Sequence, residues 1–288
     1  MKRSVHMLML MVSVLLILSG CKEKSTIISE KVIEQEGYSK SIETKKITYL
    51  SDGLEVVGYL VKPISIEEQL PVIIYNRGGN REFGKISDEQ ATKLLEYLAS
   101  GNYVVLASQY RGNDGGEGKE EFGGSDLNDV FNLINIVKDL PYVNPDQIFM
   151  IGASRGGMMT YMATRNSSDI KAAAVIGGVS DLVQVYTERL DMRSMLKSLI
   201  GGTPEELEDE YIKRSAFYWA DEINVPIIIL HGSDDWRVKQ SQAQKIANEL
   251  DKHGKEYKLI IYPGDDHSLS NNAEQMYEEI FEWFETYK

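Results

Sequence analysis

Apolar residues fall along this chain in two alternating patterns. Runs that are apolar almost throughout, Pro71 to Tyr75, Tyr103 to Ala107, Ile148 to Ile151, Ala172 to Ile176, Pro226 to His231 and Tyr257 to Tyr262, predict buried strands. A strand covered on both faces has no solvent side to carry polar residues. Between the runs, apolar residues recur every three or four positions, as on one face of a helix. Asp88 to Ala99 does so through Ala91, Leu94, Leu95 and Leu98, and stops at Ser100-Gly101-Asn102. Asp126 to Leu140 does so through Val130, Leu133, Ile134 and Val137, and Pro141 closes it. Met158 to Ala163, Gln240 to Leu250 and Asn272 to Tyr287 predict further helices. Ahead of all these, Ile47-Thr48-Tyr49 and Val56 to Val61 flank Ser51-Asp52-Gly53, which reads as a hairpin turn. Strands alternating with helices after an opening antiparallel hairpin predict an α/β domain with a mostly parallel, doubly wound sheet. In such sheets ligands collect at the carboxyl ends of the strands. Residues 180–224 break the alternation with charged helical material, Leu190 to Leu199 and Pro204 to Arg214, expected to form a small lid or helical excursion.

The N-terminus follows a different pattern. Lys2 and Arg3 precede an apolar run, Leu8 to Leu18, that is short for a bilayer span and ends in Leu18-Ser19-Gly20-Cys21. This resembles the bacterial lipoprotein signal, which is cut before a cysteine that then carries lipid. Cys21 is the only cysteine, so no intramolecular disulfide competes for it. The expected organisation is a signal peptide over 1–20, a polar tether over 21–45 and one catalytic domain over 46–288. The expected location is the outer face of a bacterial membrane, held there by lipid on Cys21. The formal net charge is −13, and losing residues 1–20 would make it more negative. That balance argues against nucleic acid and against electrostatic binding to anionic lipid. The hydrophobic share of 42% is ample for a core.

Candidate chemistry centres on Gly152-Ala153-Ser154-Arg155-Gly156-Gly157. A strand runs into Gly-x-Ser-x-Gly and a helix follows, the context a nucleophile elbow requires. Gly152 and Gly156 remove the Cβ atoms that would collide as strand and helix close on each other, and Ser154 is held above a helix N-terminus. The serine needs a base. Past the signal only His231, His253 and His267 remain. His253 lies at a polar helix end and His231 closes a strand as a partly buried structural residue, leaving His267, in the loop after the last strand. An acid must orient that base. Asp234 and Asp235 follow the preceding strand, while Asp265 and Asp266 sit in the base's own short loop. The oxyanion hole is expected from the backbone N–H of Arg155 and of Gly79, with Gly78 next in line. Tyr110, Phe122 and Trp236 are candidate pocket aromatics. No His-x-x-x-His or clustered His/Cys set suggests a metal, and the chemistry calls for no cofactor. Asp114, Asp234, Asp265 and Asp266 are better read as solvated loop residues than as a cation site.

Four motifs in this order resemble the catalytic domain of the prolyl oligopeptidase family of α/β-hydrolases. They are Gln109-Tyr110-Arg111-Gly112 to Gly118, the elbow, His231-Gly232 with Asp235 and Val238, and Tyr262-Pro263 to His267. The likeness runs from about residue 47 to the end. It implies an α/β-hydrolase fold, selects Asp235 over Asp234 as the acid, and implies hydrolysis of a short peptide or, as in relatives lacking a propeller, a small ester. Two departures stand out. Arg77-Gly78-Gly79-Asn80 occupies the place of the family's His-Gly-Gly-Pro, so a cationic Arg77 is expected at the mouth as a lure for anionic groups. Only the stretch 21–45 stands where family peptidases usually carry a β-propeller. A binding lipoprotein that uses the cleft without turnover is the reading from a different class. Oligomeric state is not legible.

Overall fold

The structure, a computed structural model, describes residues 26–288; the expected signal peptide and Cys21 lie outside the described residues. The chain opens with β1 (Ile27–Val32), β2 (Ile42–Ser51) and β3 (Leu54–Pro63), then β4 (Leu70–Asn76). Helix α1 covers 88–99, α-helical at Asp88–Gln90 and Glu96–Ala99 with a π-helical turn at Ala91–Leu95 between them. It leads to β5 (Val104–Ser108), α2 (Leu127–Val137), β6 (Val143–Ala153), α3 (Arg155–Asn166) and β7 (Ile170–Ile176). The excursion follows as α4 (Leu182–Glu188), a 3₁₀ turn at Leu190–Met192, α5 (Arg193–Ile200) and α6 (Glu208–Lys213). The chain closes with β8 (Ile227–Gly232), α7 (Ser241–Lys252), β9 (Tyr257–Tyr262) and α8 (Ala273–Thr286).

The nine strands form one sheet in the order β1-β2-β3-β5-β4-β6-β7-β8-β9. β1 to β3 are antiparallel to their neighbours, and every pair from β5 to β9 is parallel. The hairpin turns on Asp52 and Gly53 with φ of 53° and 80°, the two positive values that an Asp-Gly type I′ turn supplies. One face of the sheet buries against α2, α3 and α7, the other against α1 and α8, where Phe149 stacks on Phe284 at 4.7 Å. Burial on both faces explains why the parallel strands are apolar without alternation. The strand order reverses beside β4, since β5 lies on one side of it and β6 on the other. The loops leaving β4 and β6 therefore diverge, and the register Asn76 to Gly152 sets their starting points side by side. A crevice at such a switch point is where doubly wound folds bind ligands.

Two expectations need correction. The stretch 21–45 is not a plain tether: Ile27–Val32 pairs with β2 as an edge strand, and β2 begins at Ile42. Backbone pairing holds β1 while its side chains stay largely in water (Ile28 is 46% exposed), so no apolar pattern marked it. Its register shift after Ile27 and its charged residues are devices that protect an open sheet edge. Within the excursion, helix begins at Leu182 rather than at Leu190, with α4 capped by the Asp181 carboxylate accepting from the Gln184 amide. Pro204 to Glu206 is turn rather than helix.

Candidate active site

Ser154 stands between β6 and α3 with φ 57° and ψ −120°, a conformation that costs a residue bearing a Cβ about 1–3 kcal/mol. Its surroundings over-determine it. Its amide donates to Ile176 O at 2.8 Å on β7, and its carbonyl accepts from the amides of Gly157 at 3.0 Å and Val179 at 3.3 Å. Room for the sharp reversal comes from the flanking glycines. A Cβ on Gly152 would lie 2.1 Å from Gly156 O, and one on Gly156 would lie 1.9 Å from Asn76 O. Although Ser154 occupies the N-cap position of α3, its hydroxyl makes no capping hydrogen bond and stays available to the cavity it lines. The Arg155 amide is the first of the helix, with no intrahelical acceptor.

His267 lines the same cavity. Its Nδ1 faces Asp235 Oδ2 at 2.6 Å, and Asp235 is fully shielded from solvent. The other carboxylate oxygen, Oδ1, accepts from the amides of Arg237 at 2.8 Å and Val238 at 2.9 Å. The loops carrying the two side chains are joined by backbone bonds from Ser233 N to Tyr262 O and from Asp234 N to Asp265 O. Burial alone would push the Asp235 carboxyl up. Hydrogen bonds from His231, His267 and the Val238 amide, with the charge His267 carries when protonated, outweigh burial and hold it well below the usual carboxylate range. An ionised Asp235 requires the proton of neutral His267 on Nδ1, which leaves Nε2 unprotonated, as a base must be.

His231 is more than a partly buried strand end. It is fully buried, with Nε2 2.8 Å from Val238 O and 3.2 Å from Asp235 Oδ2. A carbonyl can only accept, so Nε2 carries the proton and shares it with the carboxylate. Asp234 is exposed and bonds to Ser233. Asp265 is buried, accepting from Asn272 Nδ2 at 2.7 Å and from nearby amides, and Asp266 accepts from the amides of Ser268 and Ser270. These two acids order the loop that presents His267. His253 lies exposed at the end of α7.

The glycine loop after β4 packs onto the elbow, and a Cβ on Gly78 would lie 3.2 Å from Ser154 Cβ. Gly79 has a φ of 72°. Arg77 is not at the mouth. It is 1% exposed and donates to backbone carbonyls: Nε and Nη2 to Gln109 O, Nη1 to Gly78 O and Nη2 to Arg81 O. With its donors turned onto carbonyls of its own loop and of Gln109, it ties that loop to the segment after β5 from behind. Tyr110 is likewise buried, its hydroxyl donating to Arg77 O at 3.1 Å, and it does not line the cavity. Trp236 does line it and is 67% exposed.

A buried ionic network behind this loop carries no signal in the sequence pattern. The Arg155 guanidinium pairs with Glu120 and Asp126, lies 4.6 Å from the Tyr110 ring and 4.7 Å from the Phe122 ring, and donates to Gly79 O at 3.2 Å. Glu120 also accepts from the Arg81 amide at 2.6 Å and from Asn113 Nδ2 at 2.9 Å. One arginine thus offers its amide beside Ser154 and uses its side chain to hold the glycine loop. Breaking such a buried pair from one side typically costs 3–5 kcal/mol, because a charge is left stranded.

The cavity measures ≈ 900 Å³, large enough for a short peptide segment. The excursion supplies one wall through Leu182, Val185, Met192 and Met195. Among the described residues, no group of three or more His, Cys, Asp or Glu side chains is placed to hold a metal ion, and no helix is long and apolar enough to cross a membrane.

Comparisons with known proteins agree with this architecture. A Bacillus subtilis protein named as the uncharacterized peptidase YtmA is 36% identical over 214 residues, which cover 74% of this chain and 81% of that one. The acylaminoacyl peptidase of Pyrococcus horikoshii superposes with a TM-score of 0.74 at 24% identity, over 86% of this chain and 42% of that one. An acetyl xylan esterase from Paenibacillus sp. R4 superposes with a TM-score of 0.68 at 16% identity, over 90% and 88%. These two structural likenesses show the α/β-hydrolase fold. The profile of the prolyl oligopeptidase family matches residues 90–288; the chain belongs to that family of serine hydrolases.

Proposed function

We propose that the chain cleaves short peptides through an acyl-enzyme formed on Ser154. The observation that carries this reading is the 2.6 Å contact of His267 Nδ1 with the shielded Asp235 carboxylate, in a cavity that a strained serine also lines. Ser154 Oγ bonds to the acyl carbon as His267 Nε2 takes its proton, and Asp235 stabilises the imidazolium. The backbone N–H groups of Arg155 and of Gly79, or Gly78 in its place, receive the oxyanion. Each such donor is worth roughly 3 kcal/mol in the transition state. His267 then protonates the leaving amine as the C–N bond breaks. Water, deprotonated by His267, releases the acid and restores the serine. Trp236 lies where substrate enters; Arg77 and Tyr110 act behind the loop.

Peptide bonds are favoured over esters because the YtmA relative and the Pyrococcus protein are named as peptidases. The likeness to an acetyl xylan esterase keeps small esters as the second reading, since both substrates pass through the same intermediate. No metal, nucleotide or nucleic acid has a part in this scheme. The lipobox-like Leu18-Ser19-Gly20-Cys21 supports a mature protein anchored through Cys21 at the outer face of a membrane. Turnover of peptide anilides set beside p-nitrophenyl esters separates the two chemistries. We expect anilide cleavage with kcat/KM of about 10⁴ M⁻¹s⁻¹ or more. Ester turnover with inert anilides would transfer the chain to the esterase reading.

A further inference from the structure

Among the described residues, four arginines line the cavity: Arg81, Arg155, Arg189 and Arg237. Two are spent on acids of the protein. Arg155 pairs with Glu120 and Asp126, and Arg189 clasps Asp191 through Nε at 2.9 Å and Nη2 at 2.7 Å. Arg81 and Arg237 are exposed, and among the described residues neither is paired with a carboxylate. Arg81 reaches from the glycine loop to the excursion, where its Nη2 donates to the neutral hydroxyl of Ser198 at 3.0 Å. Its backbone is pinned by the 2.6 Å bond of its amide to Glu120 and by a left-handed φ of 51°. The Arg237 guanidinium lies 5.4 Å from the Trp236 ring, with Arg189 5.0 Å from the same ring. The Arg237 amide is bonded to Asp235, which ties this cation to the acid beside His267.

We propose that Arg81 and Arg237 select substrates that carry a carboxylate close to the scissile acyl group. The chain has a formal net charge of −13, yet among the described residues its cavity lining holds two unmatched guanidinium groups against one carboxylate, Asp191, that is already engaged. The arginines that serve the fold look different: Arg77, Arg155 and Arg214 are buried and directed at carbonyls or carboxylates. A guanidinium fork matches a carboxylate in shape and charge. A positive recess in a negative surface also concentrates anions at one place. The carboxylate could belong to the acyl side, as an acidic residue or dicarboxylic cap, or to a free C-terminus on the leaving side.

The proposal rests on the hydrolase reading of the same cavity, so its test reads binding without turnover. Three ligands are titrated into the Ser154→Ala chain: succinyl-Ala-Ala amide, acetyl-Ala-Ala with a free carboxylate, and acetyl-Ala-Ala amide. One of the charged ligands is expected to bind about tenfold tighter than the neutral one. Which one does so tells on which side of the scissile bond the arginines act. Adding Arg81→Gln and Arg237→Gln should abolish the preference, and high salt should weaken it. Equal affinity for charged and neutral ligands, no binding of either carboxylate, or a preference that survives both substitutions would overturn it. Fluorophosphonate labelling of the unsubstituted chain is run alongside. Labelling without carboxylate preference removes only this proposal, and preference without labelling removes only the hydrolase reading.

Discussion

Asp235→Asn is expected to lower kcat by about 10⁴ while the protein stays folded. In the native chain, Asp235 Oδ2 accepts from His267 Nδ1 at 2.6 Å and lies 3.2 Å from the protonated Nε2 of His231. An asparagine fills the same volume, and its carbonyl oxygen can keep the Arg237 and Val238 amides that Oδ1 now holds. Its NH₂ group then falls where Oδ2 was. His267 must turn its unprotonated nitrogen toward that donor, which moves the ring proton to Nε2 and leaves no base for Ser154. The loss should appear in kcat, with KM little changed, because nothing in the cavity lining is altered. Circular dichroism and thermal unfolding check that the fold survives. Activity within tenfold of the native chain would remove Asp235 from the mechanism.

Gly156→Ala is expected to be the most damaging single methyl group near the site. The added Cβ would lie 1.9 Å from Asn76 O and 2.8 Å from Arg77 O, both backbone atoms at the start of the glycine loop. No flexible side chain can yield, so β4 and α3 must part. Overpacking of this kind costs about 3 kcal/mol, which in a chain of this size lowers Tm by roughly 6–12 °C. Separating the loop from the elbow should also cut activity in whatever fraction remains folded. Gly254→Ala is the comparison: a Cβ there meets nothing within 4 Å, so only the strain of its φ of 61°, a positive value that the helical Gly156 does not share, opposes the methyl group, and a smaller loss of Tm is expected. A Gly156→Ala chain as stable and active as the native one would mean that the elbow does not pack as described.

The extent to which sequence foretold structure follows burial. Strands covered on both faces leave continuous apolar runs, and β4 to β8 were legible for that reason; β9, a half-buried edge strand, still carries enough apolar residues to be seen. The Asp52-Gly53 turn was legible because few residue pairs adopt two positive φ values. β1 left no such trace, since backbone hydrogen bonds do not show in a pattern of side chains. At the site, position and scarcity led to His267, whereas the choice of Asp235 over its neighbour needed a motif. Two adjacent acids look alike until the fold buries one and exposes the other. Arg77 shows the limit most plainly. A charged residue beside Gly-Gly reads as a lure for anions, but the chain turns it inward onto carbonyls, and the unmatched cations of the cavity come from Arg81 and Arg237. The Arg155–Glu120–Asp126 network was invisible for a related reason: its members are far apart in sequence and obey no period.

The central claim is that Ser154 is a nucleophile activated by His267. Labelling the purified chain with a fluorophosphonate, native beside Ser154→Ala, tests it most directly, because the probe reacts with a serine that a neighbouring base has activated. Stoichiometric labelling of the native chain and none of the variant is expected. A folded native chain that takes no label, or a Ser154→Ala chain that labels as well as the native one, would contradict it.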